Sequence, residues 1–268
     1  MKEIRGFIID LDGTVYTGQH AIEGAVEAVK KLQSLHIPFV FLSNRGNYSR
    51  EMCRAKLEQM GLSVAADQIL LSSTVTARFL QEHYPQQAVW PFGDPGLEEE
   101  LRSYGINVAS APELAQWLII TLHESLTYEQ LNQAFRAVRH GAGIIATNED
   151  KMFPTEAGDC IDVAGMIGAI VHATGVSVSH VMGKPSTLMA HAALSVLDLP
   201  AESCIVVGDS LTSDVGLGKR HGMTTALVLT GNATEQDVMS AELQPDYISE
   251  NLLQLVDYYM AERDSRET

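Results

Sequence analysis

Cysteine is scarce in this chain: Cys53, Cys160 and Cys204 are its only thiols in 268 residues. An odd number without C-x-x-C spacing gives neither a zinc knuckle nor a disulfide framework, and it points to a reducing compartment. Long hydrophobic runs are also missing, since no stretch approaches the ~20 apolar residues of a membrane helix. The first strand-like run starts within a few residues of the N-terminus, behind Glu3, so a signal peptide has no room. A cytoplasmic protein is expected. Positive charge is in short supply, with 18 Lys plus Arg against 34 Asp plus Glu and a formal net charge of -16. Such a field repels nucleic acid and anionic membranes. An anionic ligand would have to be held by local charge: a bound metal, a lysine or backbone N–H groups. Fixed-period repeats and low-complexity tracts are absent as well, which removes solenoids and arrays.

What is present is a globular composition, 46% hydrophobic and 19% charged, with a length that suits one large α/β domain or two smaller ones. The first third alternates short apolar strands at 6–9, 38–42 and 69–71 with helices near 24–35, 49–60 and 74–82. Val26, Val29, Leu32 and Leu35 recur at helical spacing, and Ser49 and Gly61 bracket the second helix as N-cap and stop. The last third repeats the habit, with strands at 180–182, 204–207, 224–229 and 247–248 and helices at 186–197, 212–221 and 252–263. Continuously apolar strands separated by helices imply parallel pairing with both faces covered. The middle has strands and helices of its own. The expected architecture is α/β: a Rossmann-like, doubly wound parallel sheet core in two parts, residues 1–83 and 180–268, with an inserted α/β cap domain over residues 84–179.

Polar residues with chemical potential stand at strand ends. Asp10 and Asp12, in Asp10-Leu11-Asp12-Gly13-Thr14, lie at i and i+2, so both carboxylates can face one pocket. Two charges that close require a cation between them or a shared proton. Ser43-Asn44-Arg45 offers a hydroxyl and successive N–H groups for phosphate oxygens. Gly183-Lys184-Pro185-Ser186 places a lysine at a strand-to-helix turn, with proline near the helix start. Asp209 and Asp214 follow a buried strand. Each taken alone also reads as a turn, a cap or a solvated charge. Together, at the strand ends where a doubly wound sheet binds its ligand, they suit a hard cation such as Mg²⁺ and phosphoryl transfer. Asp10 is then the nucleophile and Asp12 the general acid and base. Asp209 is a further metal ligand, and Asp214 orients Lys184 or a metal-bound water.

D-L-D-G-T, L-S-N, G-K-P and G-D-S-L-T-S-D resemble motifs I to IV of the haloacid dehalogenase superfamily. The large insertion after motif II, with Ala146-Thr147-Asn148 and Leu229-Thr230-Gly231, is similar to the nitrophenylphosphatase-like sugar phosphatases, subfamily IIA, with a large α/β (C2) cap. This resemblance implies a mobile cap, Mg²⁺ dependence and hydrolysis of phosphate monoesters. It assigns Asp10, Asp209 and the backbone carbonyl of Asp12 to the metal, and Ser43 and Lys184 to phosphate. Gly13, Asn44, Arg45, Asn148 and Asp150 are the further candidates for phosphate or substrate contact. Arg45 departs from the pattern, since many relatives carry Asn there; it reaches either substrate or a surface salt bridge. The expected substrate is a small sugar or polyol phosphate, with nitrophenyl phosphate as an artificial one, and relatives that pair through their caps leave a homodimer open. Two alternatives stay open: a phosphomutase or phosphotransferase using the same aspartyl-phosphate, and an aspartate-phosphorylated signalling module. Asp12 and the inserted domain argue against the second.

Overall fold

The computed structural model describes residues 4–155 and 158–267. By internal packing the chain falls into two units. One holds the chain up to Ser43, Arg54–Leu70 and the chain from Lys184 onward; the other holds Asn44–Cys53 and Leu71–Gly183.

The first unit is built on a 6-stranded sheet with the order Tyr247–Ser249, Thr224–Val228, Cys204–Gly208, Gly6–Ile9, Phe39–Ser43, Ile69–Leu71. Gly6–Ile9 pairs in parallel with Cys204–Gly208 on one side and with Phe39–Ser43 on the other. The next pairs outward, Cys204–Gly208 with Thr224–Val228 and Thr224–Val228 with Tyr247–Ser249, are parallel too. Gly6–Ile9, Phe39–Ser43, Cys204–Gly208 and Thr224–Val228 are buried along their whole length. Their unbroken apolar character therefore reflects cover on both faces. Helix Ala25–Ser34 buries Ala25, Ala28, Val29 and Leu32, one stripe at helical period. The direction of travel across the sheet reverses between Gly6–Ile9 and Cys204–Gly208, and the crevice beyond the carboxyl ends at such a reversal is where open α/β sheets bind ligands.

The second unit has its own 4-stranded parallel sheet, ordered His180–Val181, Gly143–Ala146, Trp117–Ile120, Val89–Phe92. Leu118, Ile120 and Ile144 pack with Val138 of helix Tyr128–Arg139 and with Met166 and Ile170 of helix Val163–Thr174. Met152–Thr155 and Gly158–Ile161 form a separate 2-stranded antiparallel sheet.

Several expectations change. Strand His180–Val181, assigned from sequence to the second part of the core, joins the sheet of the inserted unit. Helix Ser72–His83, assigned to the first part of the core, packs on helix Pro95–Ser103 of the inserted unit. The helix expected at 212–221 opens with a π-helical turn, Leu211–Val215, before Gly216–Arg220. Ser186 is the N-cap of helix Thr187–Leu197 and accepts from Met189 N, so Pro185 lies outside that helix, and the Lys184–Pro185 bond is cis. The closing helix runs from Leu252 to Glu267, past the expected end. Cys53 and Cys204 are buried and Cys160 is half-buried. Among the described residues no helix is long and apolar enough to cross a membrane.

Candidate active site

Parallel register sets the geometry at the reversal. Ile9 pairs with Val207, and Asp10 N donates to Val207 O at 2.8 Å, so the chain leaves both central strands at one level. Asp10 emerges from one strand and Asp209 from the next. Lys184, distant in sequence, donates from Nζ to Asp10 Oδ1 (2.5 Å), Asp214 Oδ1 (2.7 Å) and Leu42 O (3.0 Å). Asp10, Lys184, Asp209 and Asp214 are 7%, 6%, 3% and 1% exposed. At such burial each charge must be answered by another, because desolvation of an unpaired ion is costly.

Only part of the charge is answered internally. Among the described residues, carboxylate oxygens of Asp10, Asp209 and Asp214 lie within 4.8 Å of one another, against the one ammonium of Lys184. Burial pushes the Asp10 carboxyl well above the ordinary value, and Asp214 and Asp209 add to the shift against the pull of Lys184. Asp209 is raised to about 6 by burial and by Asp214, opposed by the N–H of Asn232 and by Lys184. For Lys184 burial works downward, yet Asp10 and Asp214 outweigh it and the ammonium is held firmly protonated. A buried, oxygen-only acidic cluster with negative charge in excess fits a hard divalent cation. Asp214 is the least available member. Its Oδ1 accepts from Lys184 and its Oδ2 from Ser210 N (3.1 Å), an arrangement that orients the lysine.

Backbone closes on Asp209. A Cβ on Gly231 would fall 1.9 Å from Asp209 Oδ2 and one on Gly13, whose φ is +80°, would fall 2.3 Å from the same atom. Asn232 N donates to that oxygen at 2.6 Å, and Thr230 Oγ1 donates to Gly13 O at 2.6 Å. Gly231 and Asn232 escaped the sequence reading as site residues; the signal was a Thr-Gly-Asn turn after a buried strand, a pattern that turns supply everywhere. Asp12 is half-buried, and its Oδ2 accepts from the Tyr16 hydroxyl. Ser43 ends strand Phe39–Ser43 and is 2% exposed.

The remaining candidates belong to the second unit. Asn44 Nδ2 donates to Asp150 Oδ2 (2.9 Å), Asn148 Nδ2 donates to Asn44 O (2.8 Å), and Asp150 N donates to Asn148 Oδ1 (2.9 Å). Their polar groups thus tie the segment after Ser43 to the end of strand Gly143–Ala146. Gly46 and Gly183 permit that packing, since a Cβ on Gly46 would fall 2.2 Å from Thr147 Oγ1 and one on Gly183 2.7 Å from Asn44 Oδ1. Arg45 is half-buried with its guanidinium 5.4 Å from the Tyr48 ring centroid, a cation–π contact.

Known phosphatases resemble this chain in both sequence and fold. Residues 7–107 match the profile of haloacid dehalogenase-like hydrolases, and residues 181–255 match a second, HAD-hydrolase-like profile. The chain is 51% identical to the sugar-phosphatase AraL of Bacillus subtilis over 247 residues, 92% of this chain and 90% of that one. It is 31% identical to an acid sugar phosphatase of Staphylococcus saprophyticus, covering 96% and 98% of the two chains. The solved p-nitrophenyl phosphatase of Archaeoglobus fulgidus superposes with a TM-score of 0.89 at 36% identity, over 96% of this chain and 99% of that one. A 4-nitrophenylphosphatase of Thermotoga maritima gives 0.89 at 31% identity. Profiles at both ends of the chain, full-length relatives and the strand-end acids around one lysine lead to the same place: the chain belongs to the haloacid dehalogenase superfamily, as a phosphatase of its nitrophenylphosphatase-like branch.

Proposed function

We propose that this enzyme hydrolyses phosphate monoesters of small sugars or polyols through an aspartyl-phosphate on Asp10, with Mg²⁺ as cofactor. The observation that carries the reading is the placement of Asp10 at the sheet's reversal point, gripped by Lys184 and flanked by buried acids. Asp10 attacks phosphorus and forms an acyl phosphate as the ester oxygen departs. Asp12 gives its proton to that oxygen and then takes one from the water that opens the intermediate. Lys184, fixed by Asp214 and Leu42 O, offers positive charge to the phosphoryl oxygens, and Ser43 with the N–H groups that follow supplies hydrogen bonds to the same oxygens. Asp10, Asp209 and the carbonyl of Asp12 are the groups that would hold Mg²⁺, which when bound neutralises charge on the transferred group. The sugar assignment is supported by relatives described as sugar phosphatases. The odd number of cysteines without C-x-x-C spacing supports a cytoplasmic setting.

Rapid-quench trapping with a radiolabelled sugar phosphate tests the intermediate: label should appear on the protein and vanish in Asp10→Asn. Hydrolysis in ¹⁸O-water should place one labelled oxygen in the released phosphate. Transfer of the phosphoryl group to a second sugar would replace hydrolase by mutase. EDTA should abolish turnover and Mg²⁺ restore it, and indifference to chelation would refute the metal.

A further inference from the structure

Behind Asp12 lie two buried side chains that the chemistry above leaves unused. Asp12 and Tyr16 face each other across a tight loop: their backbones form an isolated bridge, Gly13 N donates to Tyr16 O at 2.8 Å, and Tyr16 N donates to Leu11 O at 3.1 Å. Tyr16 is fully buried, and its two-residue strand pairs with His20–Ala21. Its hydroxyl donates to Asp12 Oδ2 at 3.4 Å, a long bond of the kind that tightens once substrate is bound. Over the ring stands Lys56, from the last turn of helix Arg50–Gln59, with Nζ 3.7 Å from the ring centroid. Lys56 is 8% exposed, so its ammonium has left bulk water, where a surface lysine would keep it. A desolvated cation at this distance is drawn to the negative face of the ring. The contact fixes the ring plane and with it the direction of the hydroxyl.

The geometry points to Tyr16, gripped by Lys56, as a positioning residue for Asp12. This inference rests on the reading of Asp12 as proton carrier. With Oδ2 engaged by the phenol, Asp12 carries its proton on Oδ1. In the first half-reaction the Oδ1–H bond breaks as the leaving oxygen gains the proton, while its bond to phosphorus breaks and the Asp10–phosphorus bond forms. The carboxylate left behind is stabilised by the Tyr16 hydroxyl. In the second, a water proton passes to Oδ1, the water oxygen bonds to phosphorus, and the Asp10–phosphorus bond breaks.

Leaving-group dependence separates positioning from mere packing. A sugar alkoxide cannot depart without a proton, whereas nitrophenolate can, so an impaired general acid penalises the first ester selectively. Tyr16→Phe keeps the ring and removes the hydroxyl. Its kcat/KM on a hexose phosphate should fall ~10-fold, and several-fold less on p-nitrophenyl phosphate, a fraction of the 10²–10⁴ that general acids supply. Lys56→Met keeps the buried stem and should shift the ratio in the same direction by a smaller factor. Asp12→Asn serves as the reference and should show the largest ratio. Equal losses on both esters in Tyr16→Phe, or no loss on either, would overturn the positioning role while Asp12→Asn still discriminates. If Asp12→Asn fails to discriminate, the assignment of Asp12 as proton carrier falls, and the inference with it.

Discussion

Lys184→Met tests the electrostatic argument most directly, because it deletes the ammonium that contacts Asp10 and Asp214 and keeps the unbranched stem. The lysine side chain is 3% exposed, with Asp10 and Asp214 both in ion-pair contact. At the 4.8 Å limit of the carboxylate cluster, each like-charged pair repels by roughly 3 kcal/mol at an effective dielectric constant of about 20. Removing one partner of a buried ion pair typically costs about 3–5 kcal/mol, most of it the penalty of the stranded charge. A loss of about 3–5 kcal/mol in EDTA is therefore expected, read as a lowered transition in calorimetry and a lowered urea midpoint. Added Mg²⁺ should narrow the gap by returning positive charge to the cluster. Acid should narrow it too, since carboxyl groups raised in the folded state favour folding as they take up protons. Adding Asp214→Asn to Lys184→Met removes one stranded carboxylate and should recover part of the loss. An unchanged unfolding midpoint for Lys184→Met in EDTA, or a double variant less stable than the single one, would refute the reasoning.

Gly231→Ala puts a methyl group 1.9 Å from Asp209 Oδ2 and displaces that carboxylate. Metal affinity, measured by calorimetric titration with Mg²⁺, should drop ~10–100-fold, and a normal isotherm would remove Asp209 from the ligand set. Glu100, 2% exposed, accepts from Arg50 Nε (2.6 Å), Arg50 N (2.9 Å) and Thr74 Oγ1 (2.9 Å). Glu100→Ala should destabilise the second unit by about 3–5 kcal/mol, visible as earlier proteolysis on heating; protection equal to wild type would show the network to be idle. Burial opposes ionisation of Asp246, but Lys219 and the N–H and hydroxyl of Thr225 outweigh it and hold its carboxyl below the ordinary value. Its contribution is complete above the unfolded pKa of about 3.9 and is lost as pH falls through the lower folded value. Asp246→Asn should cost about 1 kcal/mol at neutral pH after solvent screening and nothing in strong acid; a cost independent of pH would contradict the assignment.

Much of the core was legible because its signals are local. An apolar run ending in Asp10, another in Ser43 and a third in Gly208-Asp209 each state their own strand end, and parallel pairing alone brings such ends together. Partnership between distant segments was not legible. The strand His180–Val181 carries nothing that says which of two sheets it joins, and helix Ser72–His83 presents a packing face without naming its partner. The hairpin Met152–Thr155 with Gly158–Ile161 was overlooked since its strands are short and lack alternation. In the site itself, Asp10, Asp209, Asp214 and Lys184 declared themselves by residue type. Asn232 acts through a backbone N–H that any residue but proline would supply, and Lys56 reaches Tyr16 only through tertiary folding.

The contact between Lys184 and Asp10 spans 174 positions of sequence. During synthesis the aspartate leaves the ribosome early and waits, without its ammonium partner and without Asp209, while the whole inserted unit is made. A nascent chain that ends with the inserted unit therefore holds Asp10 without Lys184, Asp209 or Asp214. The acidic cluster is complete only once strand Cys204–Gly208 lies beside Gly6–Ile9.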